Sequence, residues 1–163
     1  MRPVLRVPRT RLEAVLDCVG VLVLGVMAWT LFVAWPALPR EVPVDFGTSG
    51  TPVAWGSKGL LLLFAGIALA VHLGLSLLRR IPHLYNYPFP ITEANAERQY
   101  LLARLLVTAL RTEVVGVFAY IEWQTIRVAL GEAEGLGEAG VLAFVALIFA
   151  TVAAYFIQAS KAR

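Results

Sequence analysis

Charge is scarce in this chain. Of 163 residues only 15% are Asp, Glu, Lys or Arg, against roughly 25% in an average soluble domain. That shortage excludes a disordered tail, which needs low hydrophobicity and high charge. Cysteine is nearly absent. Cys18 stands alone, so no internal disulfide forms and the thiol reads as a small hydrophobe. Histidine is limited to His72 and His83, in different segments without ligand spacing, so neither a metal site nor a cofactor is expected. HExxH, a glycine-rich phosphate loop, CxxC and GxSxG are all missing, and with them the common signatures of catalysis. An enzyme would have to rest on an intramembrane acid–base pair such as His72 and Glu113, so a non-enzymatic protein is expected. No basic recognition helix is present, and nucleic acid is not expected as a partner despite a pI near 9.4.

What the chain has is apolar side chain: 59% of its residues, with a mean hydropathy of +0.74. A chain this short has too much surface to hide that much. Four segments, at about 14–35, 59–78, 101–130 and 139–157, are long enough to cross a hydrocarbon core of about 30 Å. The first exceeds the roughly 7–15 residues of a signal-peptide core, so it reads as an uncleaved helix. The expected fold class is all-α: one integral membrane domain over 1–163, a four-helix bundle with an ordered extracellular loop at 36–58 and a cytoplasmic loop at 79–100.

Orientation is expected from Lys and Arg. The N-terminus carries Arg2, Arg6, Arg9 and Arg11; the second loop carries Arg79, Arg80 and Arg98; the tail ends in Lys161 and Arg163. The first loop balances Arg40 and Lys58 with Glu41 and Asp45, and the third carries only Glu132, Glu134 and Glu138. The positive-inside rule puts both termini in the cytoplasm, in a bacterial inner membrane. Trp29, Trp35, Trp55 and Trp123 fall near the outer edges of the spans, at headgroup depth. Small residues at spacing four, Gly66-Ala70-Gly74 and Ala143 to Ala154, read as ordinary helix packing, with a dimer seam as the alternative.

The third span carries ionisable groups, which within a membrane helix are functional candidates by default. At about 100° per residue, Arg104, Arg111 and Glu122 share one sector with Thr108, while Glu113, Tyr120, Gln124 and Arg127 face the other way. Such a helix has to be central in the bundle or line a polar crevice. Depth counting suggests an Asp17–Arg104 pair and a His72–Glu113 contact. These groups serve either as buried ion pairs that fix register or as a small polar pathway.

Both loops are patterned. The outer one contains Pro43, Asp45, Phe46, Gly50, Trp55, Gly56, Ser57 and Lys58, and its Val42, Val44 and Phe46 alternate as in a short strand or extended piece. The inner one contains Asn86, Pro88, Thr92, Glu93, Asn95 and Arg98. Thr92 is a good helix N-cap with Glu93 in the first turn, so the third helix is expected to run from about Glu93 to Leu130. The aromatic inner loop either anchors at the headgroups or docks a cytoplasmic partner.

The outer Pro-Val-x-Phe turn followed by Trp-Gly-Ser-Lys resembles the loop of a bacterial membrane family of unknown function. That domain also forms the N-terminal part of SdpI-type immunity and signalling proteins. The inner run from Asn86-Tyr87-Pro88 through Ile91-Thr92-Glu93 to Arg98-Gln99-Tyr100 resembles the same family, so the likeness reaches about Arg127. The chain departs at Asp45, where the family often has His, and at Val53, where an acidic residue is common. The resemblance implies a short member without the separate C-terminal SdpI-type domain. It implies a sensor or immunity-type binder, or an accessory subunit of a membrane complex. The alternative is a small oligomeric transporter or ion-conducting protein built on the third-helix charges. Expected partners are membrane lipids and either further copies of the chain or a larger complex.

Overall fold

The computed structural model describes residues 2–162. Helix α1, Arg11–Ala34, begins at a capping box. The Glu13 N–H donates to Thr10 Oγ1 at 3.1 Å and the Thr10 N–H donates to the Glu13 carboxylate at 2.8 Å. This exchange satisfies two of the donors that every helix start leaves orphaned. Strands β1, Glu41–Phe46, and β2, Pro52–Ser57, follow as an antiparallel hairpin. Helices α2, Gly59–Leu78, α3, Ala96–Ala129, and α4, Glu138–Lys161, complete the described elements, with one 3-10 turn at Pro82–Leu84.

The fold is therefore mostly helical and carries a small two-stranded sheet, which corrects the all-α expectation. Pro43 and Pro52 forbid helix here, and the β-branched Val42 and Val44 favour extended backbone. Register slips between Pro43 and Asp45, as at a bulge, which bends the hairpin.

Three helices, α1, α2 and α4, are long and apolar enough to cross a membrane. Helix α3 is not among them, because its ionisable residues interrupt the apolar run. With 34 residues it extends about 50 Å. It starts later than the expected Glu93. The Thr92 N–H donates to Asn95 Oδ1 at 2.8 Å and the Asn95 N–H donates to Thr92 Oγ1 at 3.3 Å. That reciprocal pair holds 93–95 in a turn before the helix proper.

Helix α3 is the hub. Helices α1 and α2 pack along it and touch each other lightly, while α4 packs chiefly against α3. The interior is correspondingly divided. One apolar cluster, Leu31, Leu38, Val42, Leu61 and Ile126, joins the hairpin to the helices. Another, Leu102, Ala103, Tyr155, Ala159 and Ala162, joins α3 to the end of α4. The outward faces stay apolar: Phe32 and Phe149 are 72% and 71% exposed. Apolar exposure on this scale suits a helix facing lipid rather than water.

Candidate functional site

Two polar constellations stand at opposite ends of the helices. At the basic end, which holds the N-terminal arginines, the carboxylates come from α1 and the guanidiniums from α2, α3 and the N-terminal arm. Glu13 is fully buried and receives Arg104 through Nε at 3.0 Å and Nη2 at 2.7 Å. Arg104 also donates to the Val7 carbonyl at 2.6 Å, which ties the arm down. One turn on, Asp17 accepts from Arg79 at 2.7 and 2.9 Å and from both Arg9 and Arg111. Arg111, itself buried, donates through its other terminal nitrogen to Ser76 Oγ at 2.7 Å while its Nε finds no partner, and Ser76 donates to the His72 carbonyl at 2.6 Å. A buried guanidinium is tolerable when its charge is opposed and its terminal donors are taken up.

These partners correct the expected Asp17–Arg104 pair. Arg104 meets Glu13, one turn earlier on α1, and Asp17 meets Arg111. The capping box starts α1 at Arg11 rather than near Ala14, which moves each level by a turn. Helical side chains also lean toward the N-terminus, so Arg111 reaches back to the depth of Thr108. The expected His72–Glu113 contact is likewise replaced. Glu113 faces α4 and accepts from Thr151 Oγ1 at 2.5 Å. His72 fills the space left by the missing side chain of Gly20, where a Cβ would lie 3.0 Å from its Cε1. Its Nδ1 is buried without a hydrogen-bond partner. The two sectors of α3 thus meet different neighbours: Arg104, Thr108 and Arg111 on the α1–α2 side, Glu113 and Tyr120 on the α4 side.

Glu122 stands apart, fully buried, with both carboxylate oxygens and nearby Thr125 Oγ1 unpartnered. Eleven residues, or about 16 Å of helix, separate it from Arg111. Fully buried Val115 lies between them.

At the other end the hairpin is fastened twice. Lys58 Nζ donates to the Trp35 and Leu38 carbonyls at 3.1 and 3.3 Å and lies 4.7 Å above the Trp35 ring. A cation here satisfies carbonyls that the end of α1 leaves open and suits its dipole. At the tip, Gly50 adopts φ 75°, and its carbonyl accepts the Leu136 N–H at 2.9 Å from the loop before α4. Gly56 packs so closely on Val44 that a Cβ would stand 3.0 Å from Cγ1. Ser57 Oγ accepts the Gly59 N–H at 3.2 Å. Val42 and Pro43 are fully buried, whereas Asp45 and Trp55 face outward. Phe46 and Gly50 line a cleft of about 410 Å³ with Leu136 and Leu142.

The loop before α3 folds on its tyrosines. Tyr85 donates to the Leu78 carbonyl at 3.0 Å and Tyr87 to the Pro82 carbonyl at 2.8 Å. Burial pushes the Tyr85 phenol up to about 12 and raises that of Tyr87 too, so both remain neutral donors at ordinary pH. Asn95 Nδ2 reaches the Pro90 carbonyl at 3.1 Å, while Asn86, Pro88, Glu93 and Arg98 are exposed. Gln99, which no local sequence signal marks, is fully buried and donates to the Ala159 and Ala162 carbonyls at 2.9 and 3.1 Å.

Glu13, Arg9, Arg79 and Ser76 belong to the basic-end cluster although the sequence reading did not single them out. Thr10-x-x-Glu13 is a legible capping-box signal. In the sequence, Arg9 and Arg79 carry only a topological signal. Among the described residues, no group of three or more His, Cys, Asp or Glu is arranged to hold a metal ion.

Over residues 22–69, which include the second half of α1, the hairpin and half of α2, the chain is similar to a family described as Domain of unknown function (DUF1648). The match points to an uncharacterised membrane-domain family. No curated protein and no solved structure matches the chain.

Proposed function

We propose that the chain is a non-enzymatic, multi-pass protein of the bacterial cytoplasmic membrane, related to SdpI-type proteins, that binds a partner through its outer hairpin. It acts as a sensor or immunity-type binder, or as an accessory subunit of a larger membrane complex. All four helices cross, with both termini inside; α3 enters because Arg104 and Arg111 meet the α1 carboxylates Glu13 and Asp17 rather than lipid. The observation that carries this reading is the hairpin itself. Lys58 and Gly50 fix its two ends, while Trp55 and Val53 stay more than half exposed. A rigid loop presenting an exposed indole is a low-entropy binding edge.

A photo-crosslinking residue at Val53 or Trp55 is expected to give a discrete adduct in native membranes, and one at Leu147 on α4 is not. Equal labelling from all three positions would defeat the hairpin reading. Reporter fusions after Arg163 and within 36–58 test the orientation and should be active inside and outside respectively.

The second reading, an ion-conducting oligomer, draws on the unpartnered carboxyl of Glu122. Against it stands the apolar stretch around Val115 between Glu122 and the basic-end cluster. Purified protein in liposomes is expected to pass no ion flux above empty vesicles; measurable flux would reverse the order of the two readings.

A further inference from the structure

A cleft of about 340 Å³ opens at the basic end, between the N-terminal arm, the start of α1 and the end of α2. Arg6, Arg9, Arg79, Arg80 and Arg104 line it together with one carboxylate, Glu13. Behind it Asp17 is shared by Arg9, Arg79 and Arg111, and Glu13 is occupied by Arg104. Six guanidiniums therefore gather around two carboxylates. Among the described residues Arg6 and Arg80 have no ion pair and no side-chain hydrogen bond. Guanidiniums held this close repel one another unless an anion joins them, and the repulsion is strongest where water is partly excluded.

The wall of the cleft is already built. Arg104 holds the Val7 carbonyl at 2.6 Å, Tyr100 donates to the Pro3 carbonyl at 3.0 Å, and Arg2 lies 5.4 Å above the Tyr87 ring. The arm is thus held against α3 and the loop that follows α2 before any ligand arrives. Guanidinium forks converging from three elements suit an anion with several oxygens pointing in different directions, which is a phosphate rather than a lone carboxylate. Leu5 and Pro82 supply an apolar rim beside the charged wall. The cleft sits at the terminus of two membrane-length helices, where basic pockets meet phospholipid headgroups.

We propose that this cleft binds a phosphate-bearing anion, supplied either as an anionic phospholipid headgroup or as a free phosphate. Arg6 and Arg80 are its uncommitted ligands, and Arg9 and Arg79 have Asp17 as the carboxylate they share. The cleft lies at the opposite end from the hairpin, so its occupancy is independent of the hairpin reading and of the direction of insertion.

The full chain, purified in a neutral maltoside detergent, is titrated with short-chain phosphatidylglycerol, with phosphatidylcholine of equal chain length, and with inorganic phosphate. Phosphatidylglycerol is expected to bind about tenfold or more tighter than phosphatidylcholine. The double variant Arg6→Gln/Arg80→Gln is expected to lose about tenfold in that affinity with an unchanged thermal midpoint, since neither side chain holds the fold together. Arg11→Gln/Arg98→Gln removes two exposed charges from the same end outside the cleft and is expected to bind as the parent does. If inorganic phosphate binds and displaces the lipid, the source is a free phosphate; if it does not, the source is the headgroup. Equal binding of the two lipids with no phosphate binding would overturn the site. So would equal loss in the two double variants, which would mean diffuse attraction to the whole basic end.

Discussion

Asp17 and Glu122 are both acidic residues within helices, yet their surroundings demand opposite responses to neutralisation. Asp17 holds three arginines, of which Arg111 is buried. Asp17→Asn leaves that guanidinium without its counter-charge, and removing one partner of a buried pair costs about 3–5 kcal/mol. Expected is a sharply lower thermal midpoint in detergent, or loss of monodisperse protein. Arg111→Met in the same background should restore part of the loss; no recovery would shift the main role to Arg9 or Arg79. Glu122 has no partner for either oxygen. Glu122→Gln keeps its size and cannot carry a charge in this buried site, so stability is expected to stay level or rise by up to about 2 kcal/mol. A clear drop, measured as the same thermal midpoint, would mean that the carboxylate holds something the protein needs. The sequence shows that these residues lie within helices and which way they face on a helical wheel. It does not show depth to within a turn, and Arg side chains span more than a turn, so Asp17 and Arg104 are easily matched wrongly. Glu13 was readable through Thr10, because a capping box is a local pattern that needs no tertiary information.

The hairpin is legible as an extended element because Pro43 and Pro52 exclude helix and Val42, Val44 and Phe46 alternate. Its register, with the slip between Pro43 and Asp45, is not legible, because the strand packs against α3 and the tip bonds to Leu136, both distant in sequence. The Trp-Gly-Ser-Lys run acquires a physical meaning only in three dimensions. Gly56 clears Val44, Ser57 accepts the first N–H of α2, and Lys58 closes the end of α1. Lys58→Met keeps the length and apolar stem but removes the donor to the Trp35 and Leu38 carbonyls. It is expected to loosen the hairpin from α1, at a cost of about 1–3 kcal/mol, with faster amide exchange over 36–58 and unchanged exchange in α3. Gly56→Val should reach the same end by a clash, since its branches meet Val44 while every polar contact of Lys58 remains. If exchange over 36–58 is unaltered in both variants, the hairpin is held by Val42 and its apolar neighbours instead.

For the molecule as a whole, the charge on α3 correctly marks it as the helix that others surround, yet periodicity cannot tell how the rest distribute around it. They distribute unequally. Helices α1 and α2 share the polar face of α3, whereas α4 meets mainly α3. Helix α4 is pinned at its ends: Gln99 takes the Ala159 and Ala162 carbonyls, and Tyr120 donates to the Leu136 carbonyl at 2.6 Å. Between the pins, Thr151 meets Glu113 and most of the apolar side chains stay outward. Where lipid tails are as apolar as the side chains, apolar faces supply little drive to associate, and polar links between helices carry more of the specificity. The molecule should therefore come apart in two steps. With rising denaturing detergent, α4 is expected to gain amide exchange first while α1, α2 and α3 stay protected around their ion pairs. Gln99→Leu combined with Tyr120→Phe removes one pin and weakens the other, where Gln124 still donates to the Leu136 carbonyl at 3.0 Å. Neither change touches the basic-end cluster, so the pair should move the first step to lower detergent and leave the second in place. Asp17→Asn should do the reverse, lowering the second step toward the first. Loss of all four helices in one transition, shifted alike by both variants, would show that α3 transmits strain between its two faces and that the helices unfold as a unit.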